Sequence, residues 1–67
     1  MSFGEKLREL RGERTQEEMA RELKITKSSL AMYERNERIP RDEVKIRIAE
    51  FFGKTVQEIF FNRDEHI

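Results

Sequence analysis

One local pattern occurs three times and constrains the fold of this 67-residue chain. Ser2 with Glu5, Thr15 with Glu18, and Thr55 with Glu58 each read S/T-x-x-E, the capping box. The hydroxyl of such a box accepts from the amide three residues on, and the carboxylate accepts from the amide of the cap. Each box therefore marks a helix start, and an apolar stripe follows each. Phe3, Leu7 and Leu10 stand at i, i+4 and i+7, one face of a helix, and Gly12 ends it. Met19, Ala20 and Leu23 form the stripe of a helix that starts at Gln16, and Val56, Ile59 and Phe60 follow the third box.

Two more helices lack the box and have other signals. Thr26 is a good N-cap, since its hydroxyl can accept from the amides of Ser28 or Ser29. Leu30 and Tyr33 are the inward residues of the helix it starts. Asn36 can end that helix in the left-handed conformation usually given to glycine. A polar loop, Glu37 to Pro40, carries Arg38. Asp42 and Glu43 then suit the positive end of a further helix. Val44, Ile48, Phe51 and Phe52 give its buried face, and Gly53 stops it. No alternating run of β-branched residues reaches strand length. The expectation is an all-α fold, a compact five-helix bundle with short links. Its core should hold Leu7, Leu10, Met19, Ala20, Leu23, Ile25, Leu30, Tyr33, Val44, Ile48, Phe52, Val56 and Ile59.

Length allows one domain, placed at residues 1–61, with a polar tail from Asn62 to Ile67. With no cysteine, neither a disulfide framework nor a thiolate metal site is possible. No apolar run approaches the ~18 residues of a membrane span, and MSFGEKLREL lacks a signal-peptide core, so the cytoplasm is the expected location. Charged residues make up 42% of the chain, yet its net charge is zero. The charge is unevenly spread. Residues 24–47 carry seven basic and four acidic side chains, a net of +3, and the rest carries −3. Local potential, not total charge, steers a polyanion.

Enzyme chemistry finds no support. His66 is one residue from the end, where nothing rigid would hold it. The carboxylates are expected on surface faces among Lys and Arg, with no apolar setting to separate their pKa values. The three glycines stand alone at helix ends, so there is no phosphate loop, and metal-ligand spacing is absent. No cofactor or small-molecule effector is expected.

The two short helices from Thr15 to Asn36 are joined by a tight turn at Lys24 and Ile25. With Leu30 and Tyr33 inward, the opposite side of the second helix holds Ser28, Met32 and Arg35, flanked by Lys27 and Ala31. In a major groove Lys27 can donate to guanine, Ser28 can bond several bases, and Ala31 or Met32 can touch a thymine methyl. Gln16, Ala20, Leu23, Ile25, Leu30, Tyr33, Glu34, Pro40 and the run IAEFFGKTVQEIFF, Ile48 to Phe61, together resemble the helix-turn-helix family of the phage lambda repressor and Cro, the XRE-type regulators. The family usually places Gly where Lys24 stands, and a non-Gly residue in a left-handed turn costs roughly 1 kcal/mol. It commonly places Leu where Asp42 stands.

The resemblance implies a recognition helix, residues 27–35, that reads bases with Lys27, Ser28 and Met32. It also implies that Gln16 anchors a phosphate. Arg14, Arg35, Arg38 and Arg41 are candidates for further phosphate contacts. Ile46 and Phe61 do not fit the inward faces and suggest a homodimer patch. The expected function is sequence-specific binding of double-stranded DNA, with a palindromic operator and a homodimeric transcriptional repressor. The other reading is a protein-interaction module, antitoxin-like or an assembly partner, on the same fold.

Overall fold

The computed structural model describes residues 2–60. Five helices follow one another: α1 (Phe3–Arg11), α2 (Gln16–Leu23), α3 (Lys27–Glu34), α4 (Asp42–Phe52) and α5 (Val56–Phe60). Among the described residues there is no strand. All three capping boxes form. Ser2 Oγ accepts from the Glu5 amide at 3.1 Å and Thr15 Oγ1 from that of Glu18 at 3.0 Å. Thr55 Oγ1 accepts from that of Glu58, also at 3.0 Å, and each glutamate carboxylate accepts from the amide of its cap. Thr26 caps α3 without a glutamate partner: its Oγ1 accepts from the Ser29 amide and donates to Ser29 Oγ.

Three of the helix ends share a second device. In the Schellman arrangement a left-handed residue lets the next amide reach back to a carbonyl of the last turn. Lys24 (φ 61°) ends α2 this way, with the Ile25 amide donating to Ala20 O at 2.9 Å. Asn36 (φ 61°) follows α3, with Glu37 N donating to Met32 O at 2.9 Å. Gly53 ends α4, with Lys54 N donating to Ala49 O. The left-handed turn between α2 and α3 thus forms with lysine in place of glycine. Arg47 of α4 braces it, its Nη1 donating to Leu23 O at 3.0 Å and Lys24 O at 3.4 Å.

Helix α3 packs between α1 and α2, α2 rests on α4, and α5 closes the bundle against α1 and α4. Leu7, Met19, Leu23, Leu30 and Ile48 are fully buried, and Ala20, Tyr33, Val44, Ala49 and Ile59 complete the core. Leu10, Ile25, Phe52 and Val56, expected in that core, pack against it half-buried, as do Phe3 and Phe60. One expected face needs correction. Phe51 is 38% exposed, and Ala49 is buried instead. At 100° per residue the buried arc of α4 runs from Val44 through Ile48 and Phe52 to Ala49, and Phe51 falls just outside it. There its ring meets Phe52 edge-on at 4.9 Å.

A second correction concerns Glu34. The carboxylates were all expected at the surface, but Glu34 is 2% exposed. It accepts from Arg11 Nε at 2.7 Å and Arg11 Nη2 at 3.1 Å, so a two-pronged ion pair compensates its burial. Where α1 crosses the end of α3 the backbones nearly touch. A Cβ at Gly4 would collide with the backbone oxygen of Glu34 and stand 2.9 Å from the Asn36 amide group. That amide group clips the two helices together. Asn36 Oδ1 accepts from the Gly4 amide at 3.0 Å, and its Nδ2 donates to Ser2 Oγ at 3.1 Å.

Candidate nucleic-acid interface

The orientation of α3 follows from its inner side. Leu30 fills the centre of the bundle, Tyr33 is 6% exposed, and Glu34 is locked to Arg11. The outer side is then determined. Lys27, Ser28, Ala31, Met32 and Arg35 line a single open depression on the surface. Lys27, Ser28 and Arg35 are exposed, and Ala31 and Met32 are half-buried at its floor. The three residues expected to read bases therefore lie together, with Arg35 at the far end. Lys27 and Ser28 have no side-chain partner among the described residues, so their donors are available.

The expected phosphate-binding residues are differently placed. Gln16 opens α2, half-buried, and its Nε2 donates to Glu34 Oε1 at 3.0 Å. A carboxamide has two N–H donors and an acceptor oxygen, so one N–H of Gln16 is used and the remainder is available. Thr15 takes the Glu18 amide, which leaves the first-turn amides of Gln16 and Glu17 without an intrahelical partner, the arrangement that suits an anion. Arg38 and Arg41 are exposed and make no ion pair among the described residues. Arg41 is the N-cap residue of α4 without a side-chain capping bond.

Arg14 is engaged within the fold. Its Nη1 donates to Arg11 O at 3.3 Å and Leu10 O at 3.4 Å, its Nε lies 3.5 Å from Glu22 Oε1, and its guanidinium stands over the Phe51 ring at 5.4 Å. It covers the apolar corner beside Phe51 and does not line the α3 depression. Arg35 lines that depression but is paired. Its Nε and Nη2 donate to the two Glu37 oxygens, each at 3.0 Å. The hydrogen bonds raise the Arg35 pKa and hold the Glu37 carboxyl below its ordinary value.

Of the two residues expected at a dimer patch, Ile46 is 50% exposed on α4, and Phe61 lies outside the described residues. Sequence reasoning missed Ile39 and Arg47 here, and the pairing of Glu34. Ile39 is 75% exposed in the loop before α4, and the isolated apolar residue between Arg38 and Pro40 was the available signal. Arg47, which braces the α2–α3 turn, and Glu34, which joins α1, α2 and α3, have no local signature. Among the described residues no group of acidic or histidine side chains is placed to hold a metal ion, and no helix is long and apolar enough to cross a membrane.

Comparison with known families gives one finding. A family model described as Helix-turn-helix matches residues 5–59, a span that reaches from the first turn of α1 into α5. A search among curated proteins returned no match.

Proposed function

The chain belongs to the DNA-binding helix-turn-helix family of the lambda repressor and Cro type, and from that premise we propose that it is a small homodimeric transcriptional repressor that lays α3 in the major groove of a palindromic operator. The observation that carries this reading is the outer face of α3. Two polar side chains that are unpaired among the described residues, Lys27 and Ser28, stand beside the low apolar floor of Ala31 and Met32, on a helix held firmly from behind. The small side chains of Ser28 and Ala31 permit close approach to base edges. Lys27 donates to guanine, Ser28 bonds a base edge, and Met32 packs on a thymine methyl. Gln16, with the first-turn amides of α2, anchors a phosphate, and Arg38 and Arg41 add two more from the next loop. Residues 1–61 are the DNA-binding unit, acting in the cytoplasm. The exposed Ile46 of α4 and Phe61 form the dimer contact, which also supports a core of modest size.

Selection from a random duplex library tests the reading. Ser28→Ala and Met32→Ala should each change the base preferred at one position and cost about 1–3 kcal/mol on the wild-type site. Gln16→Ala should weaken all sequences by a similar factor, because phosphates carry no base identity. Recovery of the wild-type consensus at wild-type affinity by both α3 variants would refute it and favour a protein-interaction module. The dimer is tested separately by sedimentation of the wild type and Phe61→Asp. A wild type that stays monomeric at high concentration removes both the dimer and the palindrome.

A further inference from the structure

We infer that Glu37 is a built-in competitor for DNA at the α3 face: its carboxylate occupies the Arg35 guanidinium in the manner of a phosphate and withholds one backbone contact from duplex of any sequence. The inference rests on the reading of the α3 face as the DNA-binding surface.

The placement of Glu37 is not that of a loose surface side chain. Asn36 stands in the left-handed region at φ 61°, with its amide donating to Tyr33 O at 3.1 Å. This turn folds the chain back, so that the Glu37 amide donates to Met32 O at 2.9 Å. The backbone of Glu37 is thereby fixed to the last turn of α3, within reach of Arg35 two residues earlier. The contact uses both prongs of the guanidinium, Nε and Nη2, on both carboxylate oxygens at 3.0 Å. That fork is the geometry with which arginine takes a phosphate. Both side chains are more than half exposed, 55% and 52%, and neither packs in the core. Exposed pairs of this kind contribute little to stability, so maintenance of the fold does not account for it. The same arginine lines the depression where Lys27, Ser28 and Met32 converge. An exposed glutamate is charged at neutral pH whatever its partner, and the Arg35 hydrogen bond only favours that form further.

The consequence is read in salt dependence. Each phosphate neutralised on duplex DNA contributes about 0.9 to the slope of log affinity against log salt. An arginine held by its own carboxylate contributes no such increment. Glu37→Gln keeps the size of the side chain and removes its charge, which frees Arg35 for a phosphate.

The test measures binding to a random-sequence duplex across a salt series, for wild type, Glu37→Gln, Arg35→Gln and the double variant, each first checked for wild-type helix content by circular dichroism. Glu37→Gln should bind more tightly at low salt, with a slope steeper by about 0.9, so that a fourfold rise in salt costs it about 3.5-fold more affinity than it costs the wild type. Arg35→Gln and the double variant should keep the wild-type slope. An unchanged slope in Glu37→Gln overturns the inference. So does a flatter slope in Arg35→Gln, which would mean that the arginine already reaches a phosphate. Equal gains from Glu37→Gln with and without Arg35 overturn it as well, because they report general repulsion. A wild type that binds no duplex refutes the proposed function itself, and this inference falls with it.

Discussion

Removal of the Glu34 carboxylate is the most demanding test of how the bundle is held together. Glu34 is 2% exposed and accepts three hydrogen bonds, two from Arg11 and one from Gln16. Glu34→Ala leaves the Arg11 guanidinium, whose side chain is only 19% exposed, without its counter-charge. Breaking a buried pair from one side costs about 3–5 kcal/mol. Arg11 retains its bond from Nη1 to Arg14 O at 2.9 Å and some access to water, which places the expected loss near the lower end, about 3 kcal/mol. Domains have about 0.05–0.15 kcal/mol of stability per residue, or roughly 3–10 kcal/mol for a chain of this size. The variant should therefore lose between a third and all of its stability. Urea unfolding followed by circular dichroism measures this directly. With a slope of about 1 kcal/mol per molar, the midpoint should fall by about 3 M. Replacing the whole pair, Arg11→Met with Glu34→Leu, should recover most of the loss, because apolar groups of similar volume leave no stranded charge. A midpoint for Glu34→Ala within about 0.5 M of wild type would refute the argument.

Leu30→Ala empties the fully buried centre of the α2–α3 crossing and should cost about 2–5 kcal/mol, and an unchanged melting temperature would contradict the assigned facing of α3. Gly4→Ala should destabilise even though alanine is about 1 kcal/mol the better helix former, because the added Cβ meets the Glu34 backbone; a higher melting temperature would count against the close approach. The Glu58 carboxyl is held below its ordinary pKa, chiefly by the Thr55 amide. Its contribution to α5 should be complete above the ordinary carboxylate range and lost as pH falls through its lowered value. Melting curves between neutral and acid pH should show a shallower acid loss for Glu58→Gln, and an identical acid limb would exclude this contribution.

The helix starts were legible because capping is local: the three boxes and Thr26 specify their amides within three residues. The outer face of α3 was legible because Leu30 and Tyr33 fix its phase. What escaped was long-range or came down to a few degrees of arc. Burial of Glu34 depends on Arg11 and Gln16, 23 and 18 residues away, and an acidic residue in a helix looks the same whether or not such partners await it. Asn36 was readable as a helix end, but its clasp on Gly4 and Ser2 spans more than thirty residues. Phe51 had the right spacing for burial. The centre of the buried arc was decided by the helices on which α4 rests, and the small Ala49 was too weak a signal to reveal it.

The Glu34 clamp also separates two tasks that share one helix. Leu30, Tyr33 and Glu34 fasten α3 from behind, while Lys27 and Ser28 project outward and support nothing. Residues at these outward positions can be exchanged with little effect on folding. On the proposed reading of α3, a chain of this design acquires a new target by a few substitutions on one surface, and its bundle need not be rebuilt to accommodate them.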